Sequence, residues 1–213
     1  CSCSILVTAA SAAVSFSAPT VDVAPGATAS VDVTITANAG LPDRSMYGGY
    51  VVFTPADGGP ALRVPYAGLK GDYQSIVALA PTANGFPWLA SLGESGFVKQ
   101  AAGATYTLAE GDLPYVIVHL DHGVRRLRME VFDAASGRSW HRILDEQYLG
   151  RNATATGFYA IAWDGLTANG GKVLTVPNGT YVIRLSALKA LGDAANPAHW
   201  ESWPSPPVTL ARP

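Results

Sequence analysis

Val31, Val33 and Ile35 alternate with Asp32, Thr34 and Thr36. A two-residue period of β-branched and polar side chains puts the apolar set on one face of a strand and the polar set on the other. A helix repeats every 3.6 residues and cannot sort these side chains that way. The alternation returns at residues 126–132, where Leu127, Met129 and Val131 oppose Arg126, Arg128 and Glu130. Residues 115–120 form a nearly continuous apolar run, the pattern of a central strand covered on both faces.

Turn residues divide the remaining chain into short pieces. Pro25-Gly26 predicts a tight turn joining strands at 21–23 and 30–36. Asp57-Gly58-Gly59 predicts a hairpin between a strand at 50–54 and its return at 61–66, with Pro65 at a strand end or sheet edge. Asn169-Gly170-Gly171 and Asn178-Gly179 predict further hairpins, with strands at 158–163, 180–187 and 208–210. Residues 187–196, with Leu188 and Leu191 three apart, carry the one helical spacing, enough for a turn of helix before Pro197. Between 70 and 105 the pattern weakens, as in a connection with room for short strands of its own, and Phe86, Trp88 and Phe97 there are expected to pack at a domain junction. The expectation is an all-β chain of two β-sandwiches in tandem, at 1–80 and 105–213, with a connecting segment at 81–104.

Composition narrows the function classes. Charged residues are 14% of the 213, against ~25% in an average soluble domain. Arg125, Arg126 and Arg128 are the one basic cluster, and the net charge is -2. A nucleic-acid surface needs broader clustering of Lys and Arg to replace phosphate counterions, so these arginines are read as a solvated strand edge and no nucleic-acid partner is expected. Residues 4–16 are apolar but too short and too interrupted by Ser and Thr to span a bilayer. Cys1 and Cys3 are the only cysteines, and two cysteines this close cannot brace a core. Cys1 raises the alternative of a lipidated N-terminal cysteine on a surface protein, beside the plainer reading of a processing boundary.

Residues 47–54 (YGGYVVFT) followed by 64–73 (VPYAGLKGDY) resemble the fibronectin type III-like domain that follows the catalytic domain in large bacterial subtilisin-like serine proteases of the cell-envelope and minor extracellular types. Leu69 stands where that family has Phe. Residues 163–171 (WDGLTANGG) and 176–181 (VPNGTY) resemble the hairpin of the immunoglobulin-like domain that comes next in those proteins, a hairpin shared with flagellar hook-capping domains. The resemblance spans about residues 14–210. It implies two immunoglobulin-like (fibronectin type III-like) sandwiches, secreted or on the cell surface, without a catalytic role of their own.

The residues offer little chemistry. A subtilisin-type site needs a nucleophilic serine, a histidine base and an orienting aspartate, and the family's Gly-Thr-Ser-Met-Ala segment is absent. Ser95, in Gly-Glu-Ser-Gly, lacks the spacing of a nucleophile elbow. His119, Asp121 and His122 have metal-ligand flavour, but strand periodicity puts only His119 and Asp121 on one face; His141 and His199 lack partners at telling spacing. Asp164, Asn169 and Asn178 are loop oxygen donors of the kind that bind calcium, but the EF-hand spacing is absent and turn geometry alone accounts for them. Asp145-Glu146 and Glu110/Asp112 are read as polar turns rather than a glycosidase pair. Trp200 and Trp203, with Trp88 and Trp163, suggest a sugar-stacking platform as the alternative to core packing. No catalytic, cofactor or metal residue is assigned. The expected role is an accessory region that stabilises or orients the catalytic domain of a secreted protease and contacts protein substrate; the alternative is a carbohydrate-binding or adhesion module contacting a cell-surface polymer.

Overall fold

The computed structural model describes residues 2–7 and 12–213, with side chains from residue 12 on. Cys1 lies outside the described residues, so the lipidation alternative does not meet the structure. Two compact units divide between Tyr73 and Gln74. Both are built of strands in paired sheets, so the fold is all-β with two β-sandwiches in series along the chain.

The first unit contains β1 (Ser2–Val7), β2 (Ala12–Phe16), β3 (Thr20–Asp22), β4 (Val33–Ala37), β5 (Met46–Pro55) and β6 (Leu62–Leu69). One sheet runs β3-β1-β5-β6 and the other pairs β2 with β4. The strand pair expected around Pro25-Gly26 is therefore not a hairpin: β3 and β4 belong to opposite layers. The turn itself is present, with Ala27 N–H donating to Ala24 O at 3.0 Å.

The hairpin at Asp57 forms as expected, and the carboxylate accepts the Gly59 N–H at 3.1 Å. It sets the register of β5 on β6 from Met46↔Leu69 to Phe53↔Leu62. Glycine is required at position 68 because the Tyr47 ring lies across it; a Cβ there would come within 2.4 Å of Tyr47 Cζ. Pro65 lies on β6, an edge strand, where its missing N–H costs no ladder bond. Beyond β6, the Lys70 ammonium donates to the carbonyls of Ala39, at 2.6 Å, and Leu41.

A two-stranded layer covers a four-stranded one incompletely. Among the described side chains of this unit, Val51 is the one buried hydrophobic residue. Leu62 and Val64 remain 65% and 52% exposed and line, with Val21, Val31 and Phe53, an open groove of about 500 Å³.

The second unit contains β7 (Trp88–Gly93), β8 (Gly96–Lys99), β9 (Ala104–Tyr106), β10 (Tyr115–Val118), β11 (Val124–Asp133), β12 (Ser139–Leu149), β13 (Tyr159–Ala162), β14 (Leu166–Asn169), β15 (Lys172–Thr175), β16 (Gly179–Lys189), β17 (Trp200–Pro204) and β18 (Val208–Leu210). The smaller sheet runs β13-β10-β7-β8 and the larger β15-β14-β12-β11-β16-β18-β9, with β17 also on β16. Leu89, Val116 and Val118 from the smaller sheet meet Leu127, Met129, Val131, Ile183 and Leu185 from the larger, all almost fully buried. Trp163, wholly buried, packs edge-on to Tyr181 at 6.0 Å and donates to Leu166 O.

Several sequence expectations change here. The segment at 81–104 belongs to the second unit, and the short strands it has room for are β7, β8 and the start of β9. Phe86, Trp88 and Phe97 pack within the second unit, against Tyr115 and Phe158. Residues 187–189 end β16 rather than start a helix, because Leu188 pairs with Trp200 across the sheet. The helical geometry nearby is a single 3-10 turn at Pro197–His199. Asp145 and Glu146 lie in strand β12, not in a turn. Asn178-Gly179 opens β16 without a hairpin, since β15 pairs with β14 and β16 with β11.

The contrast in burial predicts stepwise unfolding. Hydrogen exchange followed through a urea titration should release the amides of β5 and β6 at lower denaturant than those of β10, β11 and β16. Coincident release of both sets would refute it.

Candidate functional site

The larger sheet turns an arginine-rich face to solvent. β11 lies between β12 and β16, so Arg126 and Arg128 stand in the middle of the sheet rather than on the solvated edge expected for them. Register places Arg128 beside Asp145 on β12, and Arg126 beside Gln147. The Asp145 carboxylate receives Arg126 through both oxygens, one bond measuring 2.6 Å, and also accepts Arg142. Arg128 Nε lies 3.9 Å away. Its guanidinium stacks over Trp200 at 5.2 Å, and that of Arg184 stacks over Phe132 at 4.1 Å. Arg125 turns elsewhere and donates to Gly192 O at 2.8 Å.

The hydrogen bond from Arg126 holds the Asp145 carboxyl below its ordinary pKa, aided by Arg142 and opposed by partial burial. A depressed folded-state pKa stabilises the fold fully above the unfolded value, about 3.9, and that stabilisation disappears as pH falls through the lower folded value. Asp145→Asn should therefore cost about 1–3 kcal/mol at neutral pH. The gap to wild type should close below about pH 4, read by urea melts at several pH values.

The smaller sheet presents an aromatic outer face. Phe86, Ala90 and Ile117 are buried beneath half-buried Trp88, Phe97 and Tyr115. Phe158 is 44% exposed and contacts both Phe86 and Phe97 at 5.8 Å between ring centres. Lys99 extends over the Trp88 ring at 5.6 Å.

The candidates drawn from sequence do not converge. His119 is buried with Nδ1 2.7 Å from Gly157 O, and its Nε2 is 3.9 Å from Asp121. His122 bonds Gly123 O, His141 bonds Asn169, and His199 holds Asp193 N–H and Asn196. Ser95 is at the tip of the β7–β8 hairpin. Asp164 accepts the Leu166 N–H at 2.9 Å, and Asn178 both donates to and accepts from the Arg212 backbone. Asp112 accepts the N–H and hydroxyl of Thr107. Among the described residues no three His, Cys, Asp or Glu side chains gather as a metal would require. The four tryptophans of the suggested stacking platform are dispersed: Trp163 is in the core, Trp203 packs against it, Trp200 lies on the larger sheet and Trp88 on the smaller.

Sequence reasoning missed Glu201. Its carboxylate accepts the N–H groups of Ala78 and Leu79 at 2.8–3.0 Å and lies 3.8 Å from the Lys189 ammonium. Lys189 donates to Gln74 O, so the pair fastens the start of the second unit onto β16 and β17. The signal was faint: one acid in a tryptophan-rich segment, bonding backbone more than 120 residues away.

No curated protein matches the chain. Residues 4–67 match the family model described as Fn3-like domain, so the first unit carries an Fn3-like domain.

Proposed function

We propose that the chain is a non-catalytic accessory region of a secreted subtilisin-like serine peptidase, stabilising or orienting the catalytic domain and contacting protein substrate. One observation supports this above the others. The two segments that resemble the protease family pair as the β5–β6 hairpin, which the Fn3-like match covers up to residue 67, and their distinctive residues are occupied there by packing and turn formation. Tyr47 covers Gly68 and Lys70 holds two loop carbonyls, so these residues build a scaffold. Contacts with a substrate then fall to loops, sheet edges and exposed faces.

The test takes the native secreted protein, measures its intact mass and N-terminal sequence, and assays casein hydrolysis on the same sample. A species much larger than 22.1 kDa that hydrolyses casein supports the proposal. An inactive, stable species of this chain's own mass refutes it.

The aromatic face of the smaller sheet favours a second reading, a carbohydrate-binding or adhesion module for a cell-surface polymer. Aromatic rings at a surface offer stacking area to sugar rings. Under that reading, soluble polysaccharide quenches tryptophan fluorescence in the wild type and not in Trp88→Ala. Equal quenching in both would place any binding elsewhere.

A further inference from the structure

β11 has one irregularity near its start. Val124 pairs with Lys189 and Arg126 with Leu188, so β11 advances two residues while β16 advances one, a β-bulge at Arg125. Val124 and Leu127 are both buried in the core. Regular alternation would turn only one of the two residues between them outward. The bulge turns out both, and Arg125 and Arg126 together line a hollow of about 200 Å³ with Gln147, Leu188 and Ala194.

The walls of this hollow are held. Arg125 donates through Nη1 to Gly192 O at 2.8 Å, and the Trp200 indole donates to Ala194 O at 3.1 Å. The Asp193 N–H donates to His199 Nδ1 at 2.8 Å. Arg126 is fixed by Nε and Nη2 on the two oxygens of Asp145. These anchors leave donors over. Arg125 keeps its Nε–Nη2 edge, the edge that makes two parallel bonds to an oxyanion, and Arg126 keeps Nη1. The carboxamide of Gln147 is exposed and has no partner among the described residues.

The charge here is unbalanced. Two cations and no acid line the hollow. Asp145 is the one carboxylate paired with Arg126, Arg128 and Arg142 among the described residues. Asp193, in the adjoining loop, is turned to the Ala195 N–H at 2.9 Å. Positive charge is thus locally in excess in a chain whose net charge is -2. Guanidinium groups on adjacent residues repel, and an anion received between them relieves that repulsion.

Size and donor geometry select the ligand. Pockets that enclose a whole small molecule start at ~300 Å³, so this hollow takes a single group of a ligand. A planar carboxylate fills one guanidinium edge, as Asp145 fills that of Arg126. Two guanidinium groups and an amide suit a tetrahedral group that carries up to two charges and offers oxygens in several directions. One such group is not a nucleic-acid surface, which needs phosphate contacts in series.

We propose that the bulge at Arg125 and Arg126 builds a binding site for a phosphate or sulfate group, the two arginines supplying the charge and Gln147 a neutral donor. The site stands apart from the peptidase reading, and neither depends on the other.

The test follows the amide spectrum of the isotope-labelled full chain during titration with sodium phosphate, the ionic strength held constant with sodium chloride. Phosphate should give saturable shifts at residues 125, 126, 147 and 192–194. Sulfate should act alike, and acetate should bind about tenfold more weakly or worse. Gln147→Glu sets an acid into the lining at a position whose side chain supports nothing else, and should weaken phosphate about tenfold or more. Gln147→Leu should weaken it about threefold, the worth of one neutral hydrogen bond. Arg125→Gln should also cost about tenfold; because Arg125 holds Gly192 as well, Gln147→Glu keeps the test decisive if the loop loosens. Lys99→Gln, on the smaller sheet, should change nothing. Glycerol phosphate separates the sources: affinity equal to that of inorganic phosphate upholds the site as a receptor for the phosphorylated end of a larger ligand, and its exclusion upholds it as a site for the free ion. Shifts that do not saturate, an equal response to chloride, acetate bound as tightly as phosphate, or undiminished binding in Gln147→Glu would overturn the proposal.

Discussion

The second unit depends on one strand. β11 pairs with β12 on one side and β16 on the other along nearly its whole length. Its period-two pattern gives one face wholly to the core, through Leu127, Met129 and Val131, and the other to Arg126, Arg128 and Glu130. A one-residue slip would drive three charges into the interlayer space, so the register is fixed from both directions. The outer face adds to this, because Asp145 can collect Arg126 and Arg142 only while β12 keeps its place beside β11. Removing the acid would leave Arg126 and Arg142 without their hydrogen-bonding carboxylate.

Glu201 extends the same logic to a segment outside the sheet. Residues 78–79 have no strand partner, so their amides need an acceptor if they are to be buried. The carboxylate on β17 supplies it, Lys189 balances the charge, and Asp121 N–H donates to Ala78 O at 3.0 Å. Ile76 and Ala78 are thereby brought to 5% and 2% exposure. The second unit consequently begins at Gln74, where the sequence suggests a first domain at 1–80, a connecting segment at 81–104 and a second domain from 105.

What was legible in sequence was local. The alternation at 30–36 and 126–132, the apolar run at 115–120, of which 115–118 form β10, and the Asp57 and Asn169 hairpins all follow from short-range patterns that need no distant partner. The misreadings share a cause, which is that pairing partners were remote. β12 escaped notice because an eleven-residue strand carrying His141, Arg142, Asp145 and Glu146 lacks clean alternation; its bulges, between Met129 and Phe132 on the partner strand, break the period. β7 and β8 were obscured by glycine and proline that serve tight turns. The arginines looked like an edge because sequence cannot show that β11 has a neighbour on each side. Of the two exposed faces, the aromatic one drew its members from residues 86–158, and no single window displays it.

The polar side chains of the turns, candidates for chemistry such as Asp112 and Asp164 included, are consumed by the backbone. Asp57, Asp112, Asp133 and Asp164 each accept main-chain N–H groups within a few residues, and Asn178 brackets Arg212 from both sides. A carboxylate turned into a local amide has its lone pairs committed and its direction fixed by the turn. Gly165 completes the case: at φ +81° it accepts a left-handed turn, and a Cβ there would lie 2.0 Å from the Arg212 guanidinium, which donates to Val176 O and lies along Gly165 O. The turn after Trp163 is thus a joint between the core tryptophan and the closing strand. Groups so employed leave recognition to what the second sandwich does not use internally, above all the aromatic outer face of its smaller sheet.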